Sequence, residues 1–189
     1  MKLILASASP RRRELLAKIT PAFTVRAAAF DEHTVTESTP AALAEALAAG
    51  KCRAVAGEQP EALVIGCDTV VDVDGAVFGK PHDAEDAHRM LRALSGRAHF
   101  VHTGVCLCGG GREERFCETT RVTFAPLTDA EIDAYIATGD PFDKAGAYGV
   151  QNGACKFVQR VEGCFFNVMG LPVARLYTAL KSWPDSPLE

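Results

Sequence analysis

The stretch Leu3-Ile4-Leu5-Ala6-Ser7-Ala8-Ser9-Pro10-Arg11-Arg12-Arg13-Glu14-Leu15-Leu16 constrains this chain most. Its opening apolar run reads as a buried strand over 2–6, its serines as a turn, and Pro10 as the first residue of a helix capped by Ser9. A buried strand that feeds straight into a helix is the start of an α/β architecture. The junction is also chemically loaded, because a helix N-terminus presents free N–H groups and partial positive charge. Arginine is unfavourable in a first turn, where it faces the positive end of the helix dipole. Three in succession, in a chain of net charge −4, argue for a bound anion. Ser7, Ser9, Arg11, Arg12 and Arg13 are therefore a candidate cradle for a polyphosphate.

The rest of the chain reads as one α/β sequence without repeats or linkers. A helix over 10–18 is followed by a short strand over 23–26 and a loop over 27–38. A long alanine-rich helix over 40–57 starts at Pro40 with Thr39 as its cap. Leu63 to Val73 reads as a buried strand, Val73-Asp74-Gly75-Ala76-Val77 as a hairpin turn, and Asp83 as the cap of a helix to about Leu94. Arg97–Cys108 and Arg115–Phe124 read as long strands joined at Gly109-Gly110-Gly111. Thr128 with Glu131 forms a capping box for a helix to about Thr138. A loop follows over Gly139–Gly153, then a strand pair, Phe157–Val161 with Cys164–Val168. Pro172 opens the last helix, and a frayed tail is expected over about 184–189. With 189 residues the chain can bury a sizeable core in a single domain.

Composition excludes several classes. A net charge of −4 argues against general nucleic-acid or membrane affinity. No apolar run approaches the roughly 20 residues that span a bilayer, and the run Leu3–Ala8 is too short for a signal peptide, so a cytoplasmic protein is expected. The seven cysteines are scattered through apolar segments with no Cys-x-x-Cys pair. That spacing argues against a zinc knuckle and favours buried reduced thiols. Cys106 and Cys108 point to the same face of one strand.

Asp68 is the second informative residue. It lies inside Leu63-Val-Ile-Gly-Cys-Asp68-Thr69-Val-Val, a strand otherwise built for burial, where a carboxylate must be paired, hydrogen-bonded or metal-bound. Asp31 and Glu32 offer further hard oxygen ligands. Lys51 lies near the end of the long helix and Lys80 in the turn Gly79-Lys80-Pro81. The glycine-rich loop supplies Asp143, Lys144, Tyr148 and Gln151. A basic anion cradle, spaced carboxylates and lysines are the parts that phosphoanhydride hydrolysis needs. No Walker A sequence, dinucleotide fingerprint or nucleophile elbow is present. His99 and His102 face opposite sides of one strand, so a histidine metal site is not expected.

These residues together resemble the Maf family of nucleotide pyrophosphatases along nearly the whole chain. The matching blocks are Ser7-Ala-Ser9-Pro10-Arg11-Arg12-x-Glu14-Leu15-Leu16, Asp31-Glu32, Lys51, Asp68-Thr69-Val70-Val71 and Gly79-Lys80-Pro81. They continue through Leu94-Ser95-Gly96-Arg97-x-His99-x-Val101-x-Thr103-Gly104 and Asp143-Lys144-Ala145-Gly146-Ala147-Tyr148-Gly149-x-Gln151 to Asn167-Val168-x-Gly170-Leu171-Pro172. The resemblance implies an elongated mixed β-sheet with flanking helices, in two lobes around a deep cleft, similar to inosine triphosphate pyrophosphatases. It implies a cytoplasmic homodimeric hydrolase that uses a divalent cation (Mg²⁺, Mn²⁺ or Co²⁺). Such an enzyme cuts nucleoside triphosphates between the α and β phosphates and serves nucleotide-pool house-cleaning, with a link to division arrest. The Asp143–Tyr148 loop resembles the branch directed to dTTP and UTP. The alternatives are the same chemistry on 7-methyl-GTP or inosine-type nucleotides, or a non-catalytic regulator of septum formation.

Residue by residue, the resemblance implies Asp68, Glu32 and Lys80 as catalytic, with Asp68 as general base. It implies Ser7, Ser9, Arg11, Arg12, Arg13, Lys51, Thr69, Lys144, Tyr148 and Gln151 as substrate-binding, and Glu32, Asp68 and Gln151 as metal ligands. Two departures stand out. Cys67 replaces the family's usual alanine, and Gln151-Asn152-Gly153-Ala154-Cys155 replaces a more glycine-rich segment.

Overall fold

The computed structural model describes residues 1–188. Its frame is a seven-stranded mixed sheet of β1 (Lys2–Ala6), β2 (Phe23–Val25), β3 (Ala62–Val73), β4 (Ala76–Phe78), β5 (Ala98–Gly109), β6 (Arg112–Phe124) and β7 (Val158–Glu162). The order is β2-β1-β3-β5-β6-β7, with β4 paired to the end of β3. β1 lies parallel to β2 and β3, whereas β3–β5, β5–β6 and β6–β7 are antiparallel. Two-residue turns at Asp74-Gly75 and Gly110-Gly111, all in the left-handed region, close the hairpins where the sequence places them.

The elongation follows from strand length. β3 and β5 have 12 residues each and β6 has 13, about 40 Å of strand at ~3.3 Å per residue. One end is covered on both faces. Helices α1 (Pro10–Ala17) and α6 (Val173–Lys181) bury Leu15, Leu16, Leu176 and Leu180 against Leu5, Ile65 and Leu107, and α2 (Pro40–Ala56) covers the opposite face. At the other end, α3 (Ala84–Leu94) and α4 (Asp129–Ile136) pack with Tyr148 and Phe157 over Val71, Val101 and Phe124. The cleft opens between these cores.

α2 lies unusually close to the sheet because two strand positions have no side chain. A Cβ on Gly66 would sit 2.3 Å from the Ala48 carbonyl oxygen, and one on Gly104 would sit 2.1 Å from that of Ala44. Only glycine admits such an approach. The alanine-rich face of α2 completes the fit.

The predicted strand pair near the C-terminus needs correction. β7 covers Val158–Glu162 and pairs with β6, while Cys164–Val168 contains a short helix, α5 (Phe165–Val168). The Cys-Phe-Phe-Asn-Val composition suits a strand, but the Asn167 side chain claims the hydrogen bonds. Its amide donates to the Val101 carbonyl and the Thr120 hydroxyl, both at 3.0 Å. The tail expected to fray is tied back through 188: the Ser186 hydroxyl donates to the Leu180 carbonyl and Leu188 packs on the core around α6. Glu189, the last residue of that expected tail, lies outside the described residues. Among the described residues, no helix is long and apolar enough to cross a membrane.

Candidate active site

The cleft holds a cavity of about 650 Å³, within the usual size of a small-molecule site. The turn from β1 into α1 forms one wall. Ser9 is the N-cap, accepts from the Arg12 backbone N–H at 3.4 Å, and Pro10 opens the helix. Ser7, Ser9, Arg11 and Arg12 line the cavity. Arg13 does not; it is exposed, one helical step further round, and the expectation that it joins the cradle is corrected.

Arg12 is the most connected of these residues. Its guanidinium donates to the Gly170 carbonyl (2.9 Å), the Ser7 hydroxyl (3.3 Å) and the Thr69 hydroxyl (3.0 Å). The pattern continues inward: Thr69 donates to the Thr103 hydroxyl at 2.9 Å, and Thr103 donates to the Asn167 carbonyl at 3.0 Å. This chain ties α1, β3, β5 and α5 into one rigid unit. Thr103 and Asn167 are legible in the sequence only as members of the blocks that resemble the family, since nothing local says that their polar atoms meet.

The opposite charge sits on β3. Asp68, 8% exposed and opposite Gly104 in the ladder, accepts from the Lys51 ammonium at 2.5 Å, and Glu32 contacts the same ammonium at 2.9 Å. Lys51 reaches both because Gly66 and Gly104 draw α2 onto the sheet. The acidic pair read at Asp31-Glu32 divides: Asp31 caps a 3₁₀ turn over Glu32–Thr34 by accepting from the His33 N–H at 3.0 Å, and Glu32 alone faces the cavity. Lys80 is exposed on the rim, and Thr69 and Gln151 line the same space.

The Gly139–Gly153 loop folds as short 3₁₀ segments that fix the remaining wall. Gly146 has φ +68°, and a Cβ there would come within 2.8 Å of Val71; its N–H donates to the Gly79 carbonyl at 2.9 Å. The loop is thereby locked beside Lys80. Lys144 lines the cavity but is only 6% exposed, and its ammonium is committed to the Asp140 carbonyl (2.6 Å) and the carboxylates of Asp140 (3.0 Å) and Asp143 (2.6 Å). Asp143 also receives Arg11 at 2.7 Å. Burial acts to raise the Asp143 carboxyl, but the hydrogen bonds from Lys144 and Arg11 outweigh it and hold the group at about 2. Arg11 is thus held in place by a charged loop residue that the sequence did not mark as its partner.

Tyr148 borders the cavity, yet its hydroxyl is paired with His99 Nε2 at 2.8 Å. Burial, reinforced by the nearby Arg97 charge, pushes His99 down from 6.5 to about 4. The unfolded chain takes up this proton near pH 6.5 and the folded chain only near pH 4, so the associated stability is intact above about 6.5 and falls as pH drops through that window. A depression of this size corresponds to roughly 3 kcal/mol at about 1.4 kcal/mol per unit. Denaturant unfolding at about pH 7 and about pH 4.5 should therefore show a larger acid loss in wild type than in His99→Gln. Equal losses would refute a neutral buried His99.

A seven-stranded mixed sheet, with a cleft between two helix-covered ends that is lined by opposed charges, defines an α/β protein with a polar cleft site. The solved structure of the Staphylococcus aureus Ham1 protein superimposes with a TM-score of 0.57, covering 96% of this chain and 98% of that one, at 16% identity. The chain belongs to the Maf-like protein family, whose model matches residues 2–183. A relative from Carboxydothermus hydrogenoformans is 51% identical over 185 residues, 97% of this chain and 99% of its own, and is named a dTTP/UTP pyrophosphatase. One from Koribacter versatilis, of the same name, is 53% identical over 182 residues, 96% of this chain and 94% of its own.

Proposed function

We propose that this chain is one nucleotide pyrophosphatase domain that hydrolyses dTTP and UTP between the α and β phosphates, giving the monophosphate and pyrophosphate. Relatives about half identical over nearly the full length carry that name. The observation that carries the reading is the opposition within one cavity of the Ser7–Arg12 turn and the carboxylate pair Asp68 and Glu32, with Lys51 between them.

The donor set fits a divalent cation such as Mg²⁺, Mn²⁺ or Co²⁺. Two hard carboxylate oxygens already converge on one positive group, the Lys51 ammonium, and Gln151 lines the same cavity. Glu32, Asp68 and Gln151 would hold the ion, which when bound offsets charge on the reacting phosphoanhydride. The remaining work falls to the chain's own groups. Arg11, Arg12, Ser7, Ser9 and the N–H groups opening α1 hold the phosphates, and Lys51 and Lys80 add positive charge along the triphosphate. Asp68 accepts the proton of the attacking water. Lys144 and Asp143 act one step back, by holding Arg11 and the loop, and Tyr148 supplies an apolar wall toward the base. A homodimer without nucleic-acid or membrane partners completes the proposal.

Purified protein with Mg²⁺ or Mn²⁺ and a panel of dTTP, UTP, CTP, GTP, ITP and 7-methyl-GTP tests this. Monophosphate plus pyrophosphate, fastest from dTTP and UTP, is expected. Diphosphate plus phosphate would refute the cleavage position, and preference for another base would refute the role of the Asp143–Tyr148 loop.

A further inference from the structure

Three of the seven cysteines, one from a distant helix and two from a single strand, meet at one point outside the nucleotide cleft. Cys52 comes from the sheet-facing side of α2, Cys106 and Cys108 from the adjacent face of β5, and their sulfur atoms all lie within 4.8 Å of one another. Cys52 and Cys106 are fully buried and Cys108 nearly so, at 7%. The Cys106 and Cys108 sulfurs are 3.6 Å apart, and Cys108 Sγ is 3.6 Å from a carboxylate oxygen of Glu113. A tetrahedral ion with bonds of about 2.3 Å to sulfur sets its sulfurs about 3.8 Å apart; the Cys106–Cys108 pair is already at that spacing, and Cys52 lies within 4.8 Å of both.

We propose that Cys52, Cys106 and Cys108 form a binding site for one thiophilic cation, Zn²⁺, with the Glu113 carboxylate, which stands beside Cys108, moving in as the fourth donor. Three thiolates with one carboxylate provide four donors, the number a structural zinc takes. The carboxylate is held at the edge of the cluster by its neighbours: Arg53 grips both of its oxygens at 2.7 Å, and Arg115 contacts one at 2.9 Å. These guanidiniums hold Glu113 beside Cys108 and offset the negative charge of the thiolate set. Each thiol releases its proton to solvent as its sulfur bonds to the ion, with no change of oxidation state. A disulfide is a poorer use of the pair on β5, because same-face neighbours on one strand hold their Cα atoms about 6.6 Å apart, near the upper limit for a bridge. The side chain of Glu113, 29% exposed, gives the ion its path in.

The test is a Co²⁺ titration of the reduced, chelator-treated full chain followed by absorption. Thiolate-to-cobalt charge transfer in the near ultraviolet and the visible bands of tetrahedral cobalt should saturate at one equivalent and vanish on adding Zn²⁺. They should be lost in Cys106→Ala and Cys52→Ser and kept in Cys155→Ser. They should also be kept in Asp68→Asn, which separates this site from the oxygen donors of the cleft. X-ray absorption of wild type loaded with one equivalent of Zn²⁺ needs no variant to fold, and should count three sulfurs and one lighter ligand. Absence of charge transfer, its survival in Cys106→Ala, or a zinc shell without sulfur would overturn the proposal.

Discussion

Asp68→Asn is expected to lower kcat by on the order of 10³-fold, within the range that general acid–base groups contribute, while nucleotide affinity stays within a few-fold. Asparagine matches aspartate in size and keeps an oxygen toward Lys51, so packing of β3 should survive. It cannot take a proton from water, and it is a weaker partner for a cation. The informative measurement is kcat together with nucleotide binding in the absence of turnover. A variant that binds and does not hydrolyse supports Asp68 as the proton acceptor. A variant that turns over at the wild-type rate sinks that role and moves the base to Glu32, the other carboxylate on Lys51.

Arg12→Ala should act on the other half of the reaction, lowering kcat/KM by roughly 30-fold to several thousand-fold, since a lost charge-assisted contact in a closed site costs about 2–5 kcal/mol. The effect should exceed that of Arg13→Ala, which is expected to be near neutral because Arg13 is exposed and outside the cavity. Arg12→Lys should not restore activity. An ammonium is a single point charge and cannot bridge Gly170, Ser7 and Thr69 in the plane that the guanidinium spans. Equal kinetics for the Arg12 and Arg13 variants would show that the cradle is nonspecific charge rather than a positioned group.

The contrast between Arg12 and Arg13 marks how far the sequence could be read. Three consecutive arginines after a capped proline mark a basic turn, but helical geometry turns them to different sides, and only the packing of Leu15 and Leu16 says which side faces the cleft. Asp31 and Glu32 divide for the same reason, one consumed by a local cap and the other aimed at Lys51. Lys144 and Tyr148 carry a family motif and line the cavity, yet their polar ends are bound to Asp140, Asp143 and His99. Their chemistry toward a nucleotide is set by partners that no local pattern reveals. The strand reading of Cys164–Val168 failed because composition measures burial and shape, whereas Asn167 made its bonds to other strands.

The alternation of strands and helices, the caps at Ser9, Thr39, Asp83 and Thr128, the hairpin turns, the basic turn at the start of α1 and the buried carboxylate on β3 are all legible in the chain read alone. All of these are governed by interactions within a few residues, or by the cost of burying a charge, and such terms are written in local order. The tertiary structure alone decided that Lys51 meets both Asp68 and Glu32, that Arg11 is held by Asp143, and that Cys52 joins Cys106 and Cys108. These contacts depend on how closely α2 approaches the sheet and where the long loop crosses the cleft. That approach is set by the absence of side chains at Gly66 and Gly104, a packing condition that acquires meaning only when distant segments are brought together.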